Sequence, residues 1–202
     1  MQVGITGGIG AGKSFICRVF KVLGTPIYNA DASAKMLMTE DLEIINEIKK
    51  VFGEEAYLEN GKLNRAYLAN QIFNDQKKLT AINEIVHPRV ATHYENWAQI
   101  QLRKHPYVVK EAALMFSNGN YKKMDKVIVV DAPIEKRIQR VVARDHRSPK
   151  QIEDIIEKQK KEEDLFGLAD YRLNNDDSTL LIPQIIELHK TFSVGEKESE
   201  LI

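Results

Sequence analysis

Residues 7–14 read Gly7-Gly8-Ile9-Gly10-Ala11-Gly12-Lys13-Ser14, a run of glycines closed by an ammonium and a hydroxyl. The pattern is G-x-x-x-x-G-K-[ST], in which glycines turn main-chain N–H groups inward around phosphate oxygens and a following helix adds the positive end of its dipole. ATP is the expected ligand, met by Gly8, Gly10, Ala11, Gly12, Lys13, Ser14 and Phe15. Lys13 is placed to reach the β- and γ-phosphates, and the Ser14 hydroxyl to ligate a Mg²⁺ that bridges phosphate oxygens. A glycine-rich turn could carry the same letters by chance. Here the run follows a short apolar segment and precedes apolar residues at helical spacing, Ile16, Val19, Phe20 and Leu23, which is the context a phosphate loop requires.

The remaining residues narrow the chemistry. A guanine-reading Asn-Lys-x-Asp is missing, and Asp164-Leu165-Phe166-Gly167, which fits D-x-x-G, stands late in a charged helical stretch. A mechanical ATPase pairs its loop with an apolar strand ending in two acids, and neither Lys110-Glu111 nor Val130-Asp131 supplies that doublet. A small-molecule kinase is left, which needs a carboxylate near the acceptor hydroxyl and cations over the transferring group. Asp31 and the arginines Arg137, Arg140 and Arg144 answer to those needs. Read without further context, Asp31 serves equally as a helix cap, and the arginines as a solvated face paired with the acids between 153 and 164.

The elements that must position these groups follow from periodicity. Gln2-Val3-Gly4-Ile5-Thr6 reads as a buried strand, Pro26-Ile27-Tyr28 as a second after the helix stop at Gly24, and residues 107–110 and 127–130 as two more. Their near-continuous β-branched runs suit a parallel sheet covered on both faces. Residues 32–104 are almost wholly helical, with Leu42, Ile45, Ile48 and Phe52 on one stripe and Leu68, Ile72 and Phe73 on another, separated by a turn at Glu59-Asn60-Gly61. Pro133 and Ser148-Pro149 open two charged helices; Tyr171-Arg172-Leu173 is a last strand, residues 180–192 a closing helix, and 195–202 a frayed polar tail. The expected fold is α/β, a P-loop kinase-type parallel sheet flanked by helices, with helical insertions on its edge at 32–104 and 140–165.

With 202 residues, 43% hydrophobic, one domain is the expectation. The 29 basic and 29 acidic residues cancel, so no global field draws nucleic acid or an anionic membrane, and phosphate binding must be local. The lone Cys17 fits a small core residue in a reducing compartment. No window approaches the ~18 apolar residues of a membrane span, and a cytoplasmic protein with no obligate protein partner is expected. His93, His105, His146 and His189 show no zinc-ligand spacing with Cys17, and Tyr94 and Trp97 read as packing residues.

Taken in order, the loop at 7–14, Asn29-Ala30-Asp31-Ala32-Ser33-Ala34, His87-Pro88 and Arg140-x-x-x-Arg144-Asp145 resemble the successive motifs of dephospho-CoA kinases, through most of residues 1–176. The resemblance implies transfer of the γ-phosphate of ATP to the ribose 3′-hydroxyl of dephospho-CoA, the last step of coenzyme A synthesis. It implies a core at about 1–31, 105–139 and 168–193, a CoA-binding region at about 32–104 and a lid at about 140–165. Asp31 would be the base; Lys13, Arg140 and Arg144 would be catalytic, while Arg137 stays with the solvated reading. Asp31, Arg65, His87 and Glu111 would meet the acceptor, and Asn175 the adenine. The chain departs from the family's pattern at several places. Asn29 stands where Asp begins the motif, Phe15 where Thr is usual, and Asp177 where a Gly follows Asn175. Glu111, Ala113-Leu114-Met115 and Ser117 stand where the family has Asp, Pro-Leu-Leu and Glu, and Leu63-Asn64-Arg65 with Leu68 matches Asp-Arg-x-x-Leu in part. Outside the resemblance, a kinase for another nucleotide or nucleoside and a non-catalytic ATP-binding regulatory module are the alternatives; Asp31 with the arginines argues for chemistry, since a switch needs no acceptor base.

Overall fold

The structure is a computed structural model that describes residues 1–73 and 75–194; the frayed tail expected at 195–202 lies outside them. Strands β1 (Gln2–Thr6), β2 (Ile27–Asn29), β3 (Val108–Glu111), β4 (Lys126–Asp131) and β5 (Tyr171–Asn174) form one parallel sheet in the order β2-β3-β1-β4-β5. The helices are α1 (Lys13–Val22), α2 (Ala30–Glu40), α3 (Leu42–Phe52), α4 (Arg65–Ile72), α5 (Gln76–Leu102), α6 (Ile134–Asp145), α7 (Pro149–Glu163) and α8 (Leu181–Val194). The chain divides into two compact units, Met1–Asn29 with Ala98–Ile202, and Ala30–Trp97.

In the first unit β1 is flanked by β3 on one side and β4 on the other, so the winding of the sheet reverses at β1. A crevice opens beyond the carboxyl ends of strands at such a switch point, and residues 7–12 follow β1 there. Val3, Ile5, Val109, Ile128 and Val130 pack with Ile16 and Phe20 of α1 and with Ile185 and Phe192 of α8. Burying Phe20 completely contributes about 2 kcal/mol. At the opposite end of the sheet, Thr25 Oγ1 donates to the Tyr107 hydroxyl at 2.8 Å, and that hydroxyl lies 2.6 Å from His189 Nδ1. Burial pushes the Tyr107 phenol up to about 12, so it stays protonated and ties α8 to β3. Ser148 and Gln151 form a reciprocal capping box with Pro149 in the first turn, which starts α7 where the sequence indicated.

In the second unit the buried face of α3 is Ile44, Ile48 and Phe52, whereas Leu42 is 73% exposed. The expected stripe beginning at Leu42 and Ile45 is therefore corrected by one step: Asp41 caps the helix through the N–H groups of Glu43 and Ile44, and the i, i+4, i+8 row selects Ile44. Leu68 is buried, but Phe73, beyond the last residue of α4, is not. The turn at 59–61 closes through Leu58 N–H on Lys62 O. The Tyr57 and Tyr67 hydroxyls donate to Met38 O and Phe52 O, both at 2.7 Å. Tyr94 stacks with Trp97, as packing residues would. Helix α5 runs through Pro88, so His87 lies inside a helix and not at a helix start.

Candidate active site

The segment 7–12 links β1 to α1 through backbone that only glycine adopts easily. Gly10 has φ +76° and Gly12, the N-cap of α1, φ +103°. Space is equally restrictive: a Cβ on Gly10 would lie 2.5 Å from the Arg137 carbonyl oxygen, and one on Gly12 2.2 Å from Asn175 Nδ2. Lys13 and Ser14 are the first two residues of α1, where unpaired N–H groups and the helix dipole favour an anion. Lys13 Nζ donates to Gly7 O at 2.7 Å and Gly8 O at 3.1 Å, which keeps the ammonium over the loop.

Strand register sets the next group. Glu111 ends β3 opposite Ile5 on one side and Asn29 on the other. Its Oε1 accepts from Ser14 Oγ at 3.1 Å and its Oε2 from Asn29 Nδ2 at 2.8 Å. The two departures from the family's motif at 29 and 111 thus meet in one hydrogen bond: Asn29 donates, where Asp would set a second carboxylate against Glu111. The Ser14 proton is spent on Glu111, which leaves the Ser14 oxygen lone pairs for a cation. A serine hydroxyl and a carboxylate are the hard oxygen donors that suit Mg²⁺. Cys17 lies beside them in the core, and its burial, followed by the Glu111 charge, pushes the thiol up. It is an inert packing group.

The arginines of α6 divide differently from the expectation. Arg137 is not solvated; it is 2% exposed, donates from Nε to Ile9 O at 2.9 Å and pairs through Nη2 with Glu163 at 2.7 Å. The signal for it was present in the sequence, since Arg137 precedes Val141 by four residues and so shares the apolar face of α6. Arg140 Nη2 reaches Asn175 O at 3.1 Å and Asp177 Oδ1 at 3.0 Å. Its Nη1 is the one buried side-chain N or O atom without a partner among the described residues. Arg144 pairs with the adjacent Asp145 and is exposed. Asn175 Nδ2 donates to Ala11 O at 2.8 Å, and Asp177 takes φ +65°, the conformation for which the family's glycine is suited and which Asp tolerates better than most residues.

Asp31, Arg65 and His87 belong to the second unit. Asp31 is the second residue of α2 and exposed, so it lies in the first turn instead of preceding the helix as its cap. Arg65 opens α4 behind the Asn64 cap, and His87 is exposed on α5. What the first unit gathers is Lys13, Ser14, Asn29, Glu111, Arg137, Arg140 and Asn175, with Gln159, Glu162 and Glu163 of α7, which sequence reasoning did not single out.

The dephospho-CoA kinase family matches residues 1–180. A dephospho-CoA kinase of Bacteroides fragilis is 35% identical over 188 residues, covering 93% of this chain and 91% of that protein. Among solved structures, a protein of Thermus thermophilus is similar with a TM-score of 0.81 at 28% identity, over 94% of this chain and 96% of that one. A dephospho-CoA kinase from Campylobacter jejuni shares the fold, with a TM-score of 0.66 at 21% identity over 96% and 98% of the two chains.

Proposed function

Because this chain belongs to the dephospho-CoA kinase family, we infer that the groups gathered at its phosphate loop carry the γ-phosphate of ATP to the ribose 3′-hydroxyl of dephospho-CoA. The chain is an ATP-dependent kinase, and the names of its relatives do not favour the alternatives, another nucleotide kinase or a non-catalytic module. The observation that carries the division of roles is the hydrogen bond from Ser14 to Glu111, one residue from Lys13 at the start of α1.

The main chain at Gly8, Gly10, Ala11, Gly12 and Phe15 cradles the triphosphate, with Lys13 against its outer oxygens. Ser14, oriented by Glu111, holds Mg²⁺, which when bound offsets charge on the phosphate oxygens. Arg140 brings a buried Nη1 that a phosphoryl oxygen would satisfy, at the position where its other nitrogen touches Asn175, the expected adenine neighbour. Asp31 takes the proton of the attacking hydroxyl, and Arg65 and His87 contact the acceptor from the helical region at 32–104. Arg144 joins the phosphoryl group by leaving Asp145, an exposed pairing that costs little to break. No described helix is long and apolar enough to cross a membrane. We place the reaction in the cytoplasm, with ATP and dephospho-CoA as the only partners required.

Turnover with ATP and Mg²⁺, compared across dephospho-CoA and nucleoside monophosphates, is the test: dephospho-CoA is expected to be the preferred acceptor, and a preference for AMP would overturn the acceptor assignment. A second expectation concerns the arginines. Arg140→Ala and Arg144→Ala should each lower kcat by about 10²-fold while ADP binding weakens far less, since these groups meet the phosphoryl oxygens mainly during transfer. Loss of ADP affinity with kcat intact would make them nucleotide anchors instead.

A further inference from the structure

Gln159, Glu162 and Glu163 stand three and four residues apart on the last turns of α7, close enough in angle to leave the helix on one side. Gln159 Oε1 accepts from the Ile9 main-chain N–H at 2.8 Å. Glu163 Oε1 accepts from Arg137 Nη2, and Arg137 Nε donates to the Ile9 carbonyl. Ile9, at the tip of the phosphate loop, is thus held at both its N–H and its C=O, once by α7 directly and once through Arg137. Glu162 does something different. It is 2% exposed, and its carboxylate accepts from three successive main-chain N–H groups, those of Met115, Phe116 and Ser117.

Taking a carboxylate out of water is costly, and three convergent N–H donors replace its hydration. An apolar side chain of the same volume would leave those three N–H donors unpaired, so the carboxylate, and not bulk, holds the two segments together. Residues 115–117 follow closely on Glu111, the group that orients Ser14. The Glu162 bonds therefore fix the end of α7 against the same segment of chain that carries the Ser14 acceptor, and Gln159 and Glu163 are rigidly linked to Glu162 by the helix.

We propose that Glu162 is a positioning residue for phosphoryl transfer, which anchors α7 on residues 115–117 and so keeps Gln159 and Glu163 in register with Ile9 and the phosphate loop in its receiving shape. The proposal rests on the phosphate loop being the transfer site. Its own readout is separate from turnover: the hydrogen-exchange rate of the Ile9 amide, followed by NMR in the full chain.

Glu162→Gln keeps the volume but turns an NH₂ toward an N–H donor, and Gln159→Leu removes the bond to Ile9 at a half-buried position. Each is expected to speed exchange at Ile9 by about tenfold or more while β1 amides keep their protection. Each should lower kcat by about tenfold, with KM for ATP changed less than threefold. The double variant should fall no lower than the worse single one, because both act through one connection. Multiplicative losses in the double variant, or parent-level Ile9 exchange in a folded Glu162→Gln, overturn the proposal. Should Glu162→Gln fail to fold, Gln159→Leu still decides: parent-level kcat with faster Ile9 exchange would show that the held loop tip does not matter to transfer. Absence of turnover in the parent itself would strike the functional reading, leaving the exchange result to judge the anchor.

Discussion

Asp31→Asn is expected to melt within a few degrees of the parent and to bind ATP as the parent does, while turnover falls by about 10²–10⁴-fold. The stability side follows from its place in α2. An acid in a helix's first turn gains about 0.3–1 kcal/mol from the dipole, and a loss of that size moves Tm by about 2–4 °C per kcal/mol in a chain of this length. The amide keeps the size of the carboxylate but cannot take a proton from the attacking hydroxyl. Acceptor affinity should be unchanged or tighter, because a negative charge beside bound phosphates is removed. Single-turnover rates, with melting curves and acceptor binding measured on the same sample, check all three. A stable variant with near-parent turnover would eliminate Asp31 as the base and turn attention to Glu111.

Lys13→Ala and Ser14→Ala are expected to lower turnover by different routes and to respond differently to Mg²⁺. Removing the ammonium takes away a charge aimed at the β/γ-phosphates, for which a loss on the order of 10²–10³-fold in kcat is the scale of one preorganised electrostatic contact. Added Mg²⁺ has no means of restoring it. Removing the hydroxyl loosens the ion and leaves Glu111 Oε1 without its donor, although Asn29 still satisfies Oε2. Raising Mg²⁺ should then recover part of the rate. Turnover titrated against Mg²⁺ for both variants separates the roles: equal rescue, or rescue of neither with the fold intact, would count against them.

The strands, the phosphate loop and the start of α7 were legible in the residues because each depends on neighbours in sequence. Gly10 and Gly12 set backbone angles at their own positions, Ser148 and Gln151 cap each other across one turn, and the β-branched run at 126–131 marks a strand covered on both faces wherever it lies in the sheet. Glu111, Arg140 and Asn175 could be named as candidates, and Asn29 only as a departure from the family's motif, but their roles depend on partners far along the chain. Strand register alone brings Asn29 and Glu111 together across 82 positions, and it explains why an amide accompanies the longer acid. Helix faces were harder, since Ile44 and Ile45 are one position apart on α3 and only the packed side reveals which is buried. The arginines show the limit most clearly. Arg137, Arg140 and Arg144 are chemically identical and stand three and four residues apart on one helix, and sequence distinguishes them weakly. Tertiary packing gives Arg137 the loop carbonyl 128 residues away, leaves one buried Arg140 nitrogen without a partner among the described residues, and pairs Arg144 with its neighbour at the surface. The same holds for Gln159 and Glu162, whose partners are 150 and about 45 residues distant. Local sequence determines backbone shape, whereas a charged side chain's role is decided by which distant groups share its desolvated space.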